Sequence, residues 1–463
     1  MARRRDSKGS KGSKSSEVTI DCVRSPRPAT PSDRVTRVAL QFGVPTTGQP
    51  VRVLDRLTVP MGPGRIVLFQ GPSGSGKSTA LGLISRHCPG GHQVNRVSFA
   101  SGRSVIDAIC PHQPLGQALE LLAACGLGES PLWVRSFDEL SDGQRFRARL
   151  AKAVGRHLKG RSPAALLCDE FASGLHRRLA KAIAFNLRKL ATRYGLSMVM
   201  ACSDEDVERD LQPDVTFRLR GGGRYDRIER RPRKRAISFS RRLVIEGGGK
   251  RDYDAFAAMH YRDTDELGFV DKVFVMREGQ STELLGIVVY SHGPMELSLR
   301  NQATAGRFKR NPKRLNREVR ILRRLVVHPD VRGCGLGHWL VKKTLPMVGT
   351  RFVECLASMG EVNPVFEKAG MTRVGTCAMP SNRARILAEV QALGADPFGR
   401  EFVMLVSRRP RVRRLVAQLV YQWYQATTAG GEKRVERQSA EMLARTFRGL
   451  VGTRPVYFLW ERA

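Results

Sequence analysis

The apolar run from Arg65 to Gln70 leads straight into Gly71-Pro72-Ser73-Gly74-Ser75-Gly76-Lys77-Ser78-Thr79. No other feature constrains the chain as tightly. The spacing is G-x-x-x-x-G-K-[ST], which predicts a buried strand, a tight loop and a helix in that order. The glycines let consecutive N–H groups curl around phosphate oxygens. Lys77 is then expected at the β- and γ-phosphates and the Ser78 hydroxyl on Mg2+, and the helix that follows adds its positive N-terminal end.

A second apolar run, Ala164-Ala165-Leu166-Leu167-Cys168, ends in Asp169-Glu170. In the same domain as a P-loop, this places Asp169 beside the metal and Glu170 beside the attacking water, which it would polarise. A third stretch, Leu140-Ser141-Asp142-Gly143-Gln144, opens a helix that runs to Leu158. A serine there is, by itself, only a helix cap. With these three elements, residues 36–220 resemble the ABC ATPase superfamily, whose signature is Leu-Ser-Gly-Gly-Gln. Ser141, Gly143 and Gln144 match it, and Asp142 replaces a glycine. The resemblance implies ATP and Mg2+ as ligands, with the metal on Ser78 and Asp169. It also implies a homodimeric ATP sandwich, in which Ser141 and Gly143 of one copy touch the γ-phosphate held by the other. Three positions depart from the family. Ser203 stands where a switch histidine is expected, His176 ends the stretch that normally ends in Asp, and Gln113 is the best candidate for the Q-loop glutamine. These changes leave nucleotide binding expected and argue against fast hydrolysis. Phe42 is a candidate for stacking on adenine, or for the core.

The second half repeats the logic with different residues. Leu325-Val326-Val327-His328-Pro329 ends a strand, and Asp330-Val331-Arg332-Gly333-Cys334-Gly335-Leu336-Gly337 leads into a helix. Consecutive N–H groups in such a turn can hold a pyrophosphate. Asn363-Pro364-Val365-Phe366-Glu367-Lys368-Ala369-Gly370-Met371 follows the next strand. Together these make residues 250–407 similar to the GNAT acetyltransferases. The resemblance implies acetyl-CoA, with its pyrophosphate at Arg332, Gly333, Cys334, Gly335, Leu336 and Gly337 and its pantetheine along Val326 and Val327. The family's frequent general-acid tyrosine is absent, with Phe366 near its place. Glu354 and Glu361 are the carboxylates nearest the expected acyl position, and a base there would need a pKa raised by burial. As a whole the chain resembles ABC-type ATPases fused to a GNAT-type domain.

The expected architecture is therefore α/β: a basic disordered tail (1–35), a P-loop ABC ATPase domain (36–220), a basic linker (221–249), an α+β GNAT fold (250–407) and a basic C-terminal extension (408–463). The formal net charge of +36 over 463 residues points to a polyanionic partner, with RNA or DNA first and an anionic membrane second. Ten cations between Arg300 and Arg324 would lie beside the acyl acceptor. Arg408, Arg409, Arg411, Arg413 and Arg414 precede Tyr421, Trp423 and Tyr424, a pairing that suits looped RNA if the rings are not packed. Nine scattered cysteines without CxxC spacing argue against zinc or a disulfide framework and fit a reducing cytoplasm. No apolar run is long enough to span a membrane, and the first residues lack the apolar stretch of a secretory signal. The combined expectation is ATP-driven acetyl transfer onto RNA. The alternatives are a nucleic-acid-binding ABC ATPase with a non-catalytic GNAT-like domain, and a protein N-acetyltransferase.

Overall fold

Two sheets organise the chain, and one helix is built into the cores of both. The computed structural model describes residues 16–27, 30–46, 48–88, 91–160, 165–257, 259, 267–427, 435, 437–452 and 454–462. The first sheet is formed by β3 (Ile66–Gln70), β4 (His92–Gln93), β5 (Leu166–Cys168), β6 (Met198–Cys202), β7 (Val215–Gly221) and β8 (Arg224–Glu229). Their order is β4-β5-β6-β3-β7-β8, parallel except for the β7–β8 hairpin. Every residue of β3, β5 and β6 is buried, as expected of parallel strands covered on both faces.

β1 (Ser16–Arg24) and β2 (Val51–Met61) form a separate antiparallel pair beside this sheet. This corrects the expected disordered tail. Ile20 enters the same core as Leu57, Val59 and Phe69. Alternation at Val18, Ile20 and Cys22 gives β1 an apolar face, which the basic, Ser/Gly/Pro-rich composition around it hides. The rest of that reading, residues 1–15, lies outside the described residues.

The second sheet contains β9 (Leu243–Gly248), β10 (Val270–Glu278), β11 (Leu284–Ser291), β12 (Val319–Val327), β13 (Phe352–Ala357), β14 (Thr372–Thr376) and β15 (Val456–Glu461). Its order is β14-β15-β13-β12-β11-β10-β9. Two boundaries move accordingly. The expected linker contributes β8 to the first sheet and β9 to the second, so its glycines make a hairpin rather than a break. The expected C-terminal extension returns through β15, which inserts between β13 and β14. The helices Ser381–Ala392, Phe402–Arg408, Pro410–Thr427 and Ala440–Val451 pack on one another before that return. Trp423 and Tyr424 pack against this cluster, so only Tyr421 keeps substantial exposure.

The helix Arg177–Tyr194, here the axial helix, joins the two halves. Leu179, Ile183, Leu187 and Leu190 enter the core of the first domain. Ala182 and Phe185, on another face, enter the core of the second. Apolar residues around most of its circumference make it a buried helix rather than a surface one. Arg178 adds ion pairs to Glu278 (3.3 Å) and Glu283 (2.8 Å) on the second domain. Among the described residues no helix is long and apolar enough to cross a membrane.

Half of the basic run between Arg300 and Arg324 is consumed internally. Arg300 is buried against Glu354, Arg320 pairs with Asp271, and Arg307, Arg314 and Arg317 all pair with Glu318. Burial works to raise the Glu318 pKa, but hydrogen bonds from the three arginines outweigh it and pull the carboxyl down to about 2. A depressed carboxylate stabilises the fold fully above its unfolded value of about 4.3, and that contribution is lost as pH falls through about 2. Glu318→Gln should cost about 1 kcal/mol at neutral pH, because Arg314 is partly and Arg317 largely exposed and water screens their pairs. The gap between its urea-unfolding midpoint and that of the wild type should close as the solution is acidified.

Candidate nucleotide site and the glycine turn of the second domain

β3 delivers the chain into the P-loop, and the helix Lys77–His87 leaves it. Gly71 has φ 145°, and a Cβ there would run into the Leu219 carbonyl oxygen. Gly76 has φ 103° and caps the helix from the left-handed region, which glycine adopts freely. Lys77 Nζ donates to the Gly71 and Pro72 carbonyls at 2.7 and 2.8 Å. The Ser75 hydroxyl is buried without a hydrogen-bond partner. Among the described residues, no backbone carbonyl accepts from the N–H groups of Ser73, Gly74 or Gly76 through Thr79. A loop with this many unused donors, a buried orphan hydroxyl and a lysine folded onto it fits a polyphosphate.

The loop faces a cavity of about 440 Å3 lined by Ser73, Gly74, Gly76, Lys77, Ser78 and Thr79 on one side and by Asp169 and Glu170 on the other. β5 ends at Cys168, so the acidic pair projects from the C-terminal end of this interior strand. Glu170 has φ 50° and its N–H donates to Asp169 Oδ1 at 2.9 Å, which holds the two carboxylates in a tight bend. The donor set suits Mg2+: Ser78 and Asp169 would hold the ion, and the ion would neutralise phosphate charge.

Further residues meet this site. Arg24, the last residue of β1, lines the cavity, as do Ser203 and Asp204 beyond β6. Asn95 donates from Nδ2 to the Asp169 carbonyl at 3.3 Å. Arg24 sits in the stretch read as a disordered tail, and Asn95 belongs to no motif. The cavity lining includes neither Gln113 nor Phe42, and Phe42 is exposed on the helix Asp33–Phe42.

Ser141, Gly143 and Gln144 do not line the cavity either. They open the helix Asp142–Gly160, outside that lining. Ser141 Oγ accepts from the Gln144 N–H (3.4 Å), and Gln144 Oε1 accepts from the Ser141 N–H (3.0 Å), a reciprocal cap. The end so formed is exposed at Ser141 and Asp142.

In the second domain β12 pairs with β11 as far as Val327 but with β13 only over Val319–Leu322. The two parallel strands thus fork, leaving the Val326–Val327 edge without a strand partner on the β13 side. The turn Arg332–Gly337 stands at the end of this fork, with Gly333 at φ 81° and Gly335 at φ 86°. Among the described residues, no backbone carbonyl accepts from the N–H groups of Gly333 to Gly337. The axial helix reaches the same turn. Asn186 Nδ2 donates to the Arg332 carbonyl at 3.1 Å and Lys189 Nζ to the Gly333 carbonyl at 2.7 Å. Burial lowers the Lys189 pKa. Cys334 is buried against the same helix, where burial pushes its thiol up to about 12, and Leu336 enters the second core.

Three expected roles change. The Arg332 guanidinium donates to the carbonyls of Val327, Gly128 and Met259, so it ties segments together instead of facing a ligand. Glu354 is completely buried and accepts from Arg300 Nε (2.8 Å), Arg300 Nη2 (2.6 Å) and Tyr457 Oη (2.8 Å). A carboxylate locked in that pair has no free oxygen to take a substrate proton, so Glu354 is a structural charge. Glu361 is exposed, and hydrogen bonds from Thr376 and then Arg373 lower its pKa, the opposite of what a base needs. Phe366, near the expected acid, is packed on Phe458.

No family model matches the chain. It is 28% identical over 197 residues to the methionine import ATP-binding protein MetN 2 of Acinetobacter baylyi, covering 35% of this chain and 55% of that protein. It is 37% identical over 92 residues to the MetN protein of Helicobacter hepaticus, covering 20% of this chain and 24% of that one. The chain thus spans about half or less of the length of these relatives. Among solved structures, the dimeric form of a bacterial ABC transporter cassette overlays 40% of the chain at 20% identity with a TM-score of 0.32. CbiO1 of Clostridium perfringens, part of an ABC transporter complex, overlays 38% at 19% identity with a TM-score of 0.30. With the P-loop, the acidic strand end and the signature in place, the first domain is similar to the ATP-binding proteins of ABC importers over the matched residues. These matches span at most 40% of the chain.

Proposed function

We propose that two copies of this chain close on ATP, each P-loop completed by the other copy's Ser141, Gly143 and Gln144, and that this cycle works a grip on nucleic acid, RNA first. One observation carries the reading. Lys77, Ser78, Asp169 and Glu170 meet around one cavity, while the signature residues lie outside its lining at an exposed helix end. That end offers N–H groups and a positive dipole to an anion. Glu170 is the residue placed to polarise water, and Ser203 occupies the rim where an imidazole would assist, so turnover is slow. The charge of +36 supports a polyanion as the object of the cycle. If the site is shared, ATP turnover per molecule should rise with protein concentration. Ser141→Arg should abolish turnover while leaving binding of a fluorescent ATP analogue unchanged. Turnover independent of concentration and untouched by Ser141→Arg would overturn the shared site.

The fork between β12 and β13 favours a second reading for the second domain: binding of an acyl-CoA without transfer. The free edge at Val326–Val327 suits the pantetheine, and the N–H groups of Gly333 to Gly337 suit the pyrophosphate. Glu354 and Glu361 supply no base, which favours a bound effector over acetylation of RNA or protein. Calorimetry should show acetyl-CoA binding that Gly337→Trp removes, and radiolabelled acetyl-CoA should leave RNA unlabelled. Absence of binding would sink the effector, and labelled RNA would restore the acetyltransferase.

A further inference from the structure

The helix that begins at Ser141 carries a second feature along its length. Arg145, Arg149, Lys152 and Arg156 recur at intervals of four, three and four residues, which puts them on one face over about 16 Å. Two rings hold the row. Phe99 and Phe137 stack with centroids 4.3 Å apart and planes 9° from parallel. Arg149 lies 5.2 Å and Arg145 6.0 Å from the Phe137 centroid, and Lys152 lies 4.2 Å from that of Phe99. Ring faces attract cations without neutralising them.

Several buried or half-buried arginines are treated differently. Arg178, Arg188, Arg300, Arg307 and Arg320 each find a carboxylate. In the row only Arg145 does, with Asp142 at 3.4 Å. Among the described residues no carboxylate pairs with Arg149, Lys152 or Arg156. Burial, and then Arg156 and Arg103, hold the Lys152 amine below its usual range, so like charges crowd one another here. At the end of the row lies an open pocket of about 310 Å3 lined by Ser85, His92, Gln93, Arg96 and Arg156. Aligned cations held by aromatic faces, three of them without a carboxylate partner among the described residues, beside a polar pocket offer a track for an extended anion.

We propose that this row, from Arg145 to Arg156 with Arg96 and Arg103 at its flank, binds the phosphodiester backbone of a nucleic-acid strand. The inference rests on the nucleic-acid reading above and gives it a place. A length of about 16 Å follows several phosphates of one strand. The row recognises charge and spacing, which RNA and DNA share. It is rigidly continuous with Ser141 and Gln144, so a strand lying on it is held by the same helix that closes on the partner copy's ATP.

The test uses the full chain and fluorescein-labelled single-stranded 20-mers of RNA and DNA, read by anisotropy at several salt concentrations. Arg149→Gln/Lys152→Gln/Arg156→Gln should bind both polymers at least tenfold more weakly. The slope of log affinity against log salt should fall by about 2 to 3, one counterion release lost per cation. Arg411→Gln/Arg414→Gln, which removes exposed charge from the helix Pro410–Thr427, should lose little. Thermal melting and ATP-analogue binding report whether the triple variant is folded. If it is not, the single exposed change Arg156→Gln should lower the slope by about 1. Wild-type binding that the row variants leave intact, or that both multiple variants weaken equally, overturns the row while the nucleic-acid reading stands. No binding of either polymer by the wild type overturns both.

Discussion

The ion pair between Arg188 and Asp214, at 2.9 Å, ties the axial helix to the start of the strand that carries the P-loop. Asp214 Oδ2 also accepts from the Ile66 N–H at 2.8 Å, and Ile66 is the first residue of β3. Arg188 donates in addition to the Gly64 carbonyl just before it. Removing one partner of such a largely buried pair costs about 3–5 kcal/mol, because the other charge is left stranded. The pair therefore fixes where β3 begins and, five residues on, where the phosphate loop emerges. The same helix starts seven residues after Glu170, so the acidic bend is anchored at one end by β5 and at the other by the axial helix.

That helix also shapes the second domain. Its far face supplies Ala182 and Phe185 to the second core, and its Asn186 and Lys189 hold the carbonyls of the Arg332–Gly333 turn. Gly333 cannot gain a Cβ without meeting the Asn186 side chain. Arg332 meanwhile bridges to Gly128, in the first domain. A turn whose spacing suits pyrophosphate thus serves as a joint between domains, while its N–H groups stay without backbone partners. Both roles use the same glycines for the same reason: close approach of another group to bare backbone.

What was legible in the sequence followed from contiguity. The P-loop, the acidic strand end and the signature each place their chemistry within a few consecutive residues, so spacing alone exposes them. Arg24 reaches the cavity from β1 and Asn95 reaches the Asp169 carbonyl from the turn after β4, and nothing local distinguishes them from any surface arginine or asparagine. Glu354 was misjudged because its partner Arg300 lies 54 residues away and Tyr457 lies 103 residues away. A buried carboxylate looks the same in sequence whether it is a base or half of an ion pair. The glycines at 221–223 look like a linker because a hairpin and a hinge need the same backbone freedom. The returning strand β15 was visible as a strand, but its insertion between β13 and β14 depends on a connection of nearly eighty residues that no local pattern encodes.

The central claim is that each ATP site is built from two copies of the chain, and mixing two inactive variants tests it most directly. Lys77→Ala lacks the phosphate lysine but keeps its signature, and Ser141→Arg lacks the signature but keeps its phosphate loop. In a shared-site dimer, a mixed pair contains one intact site, made by the Ser141→Arg loop facing the Lys77→Ala signature. ATP turnover should therefore reappear on mixing and peak near equal amounts of the two. Two variants that stay inactive in every proportion, while each is folded, would contradict the shared site.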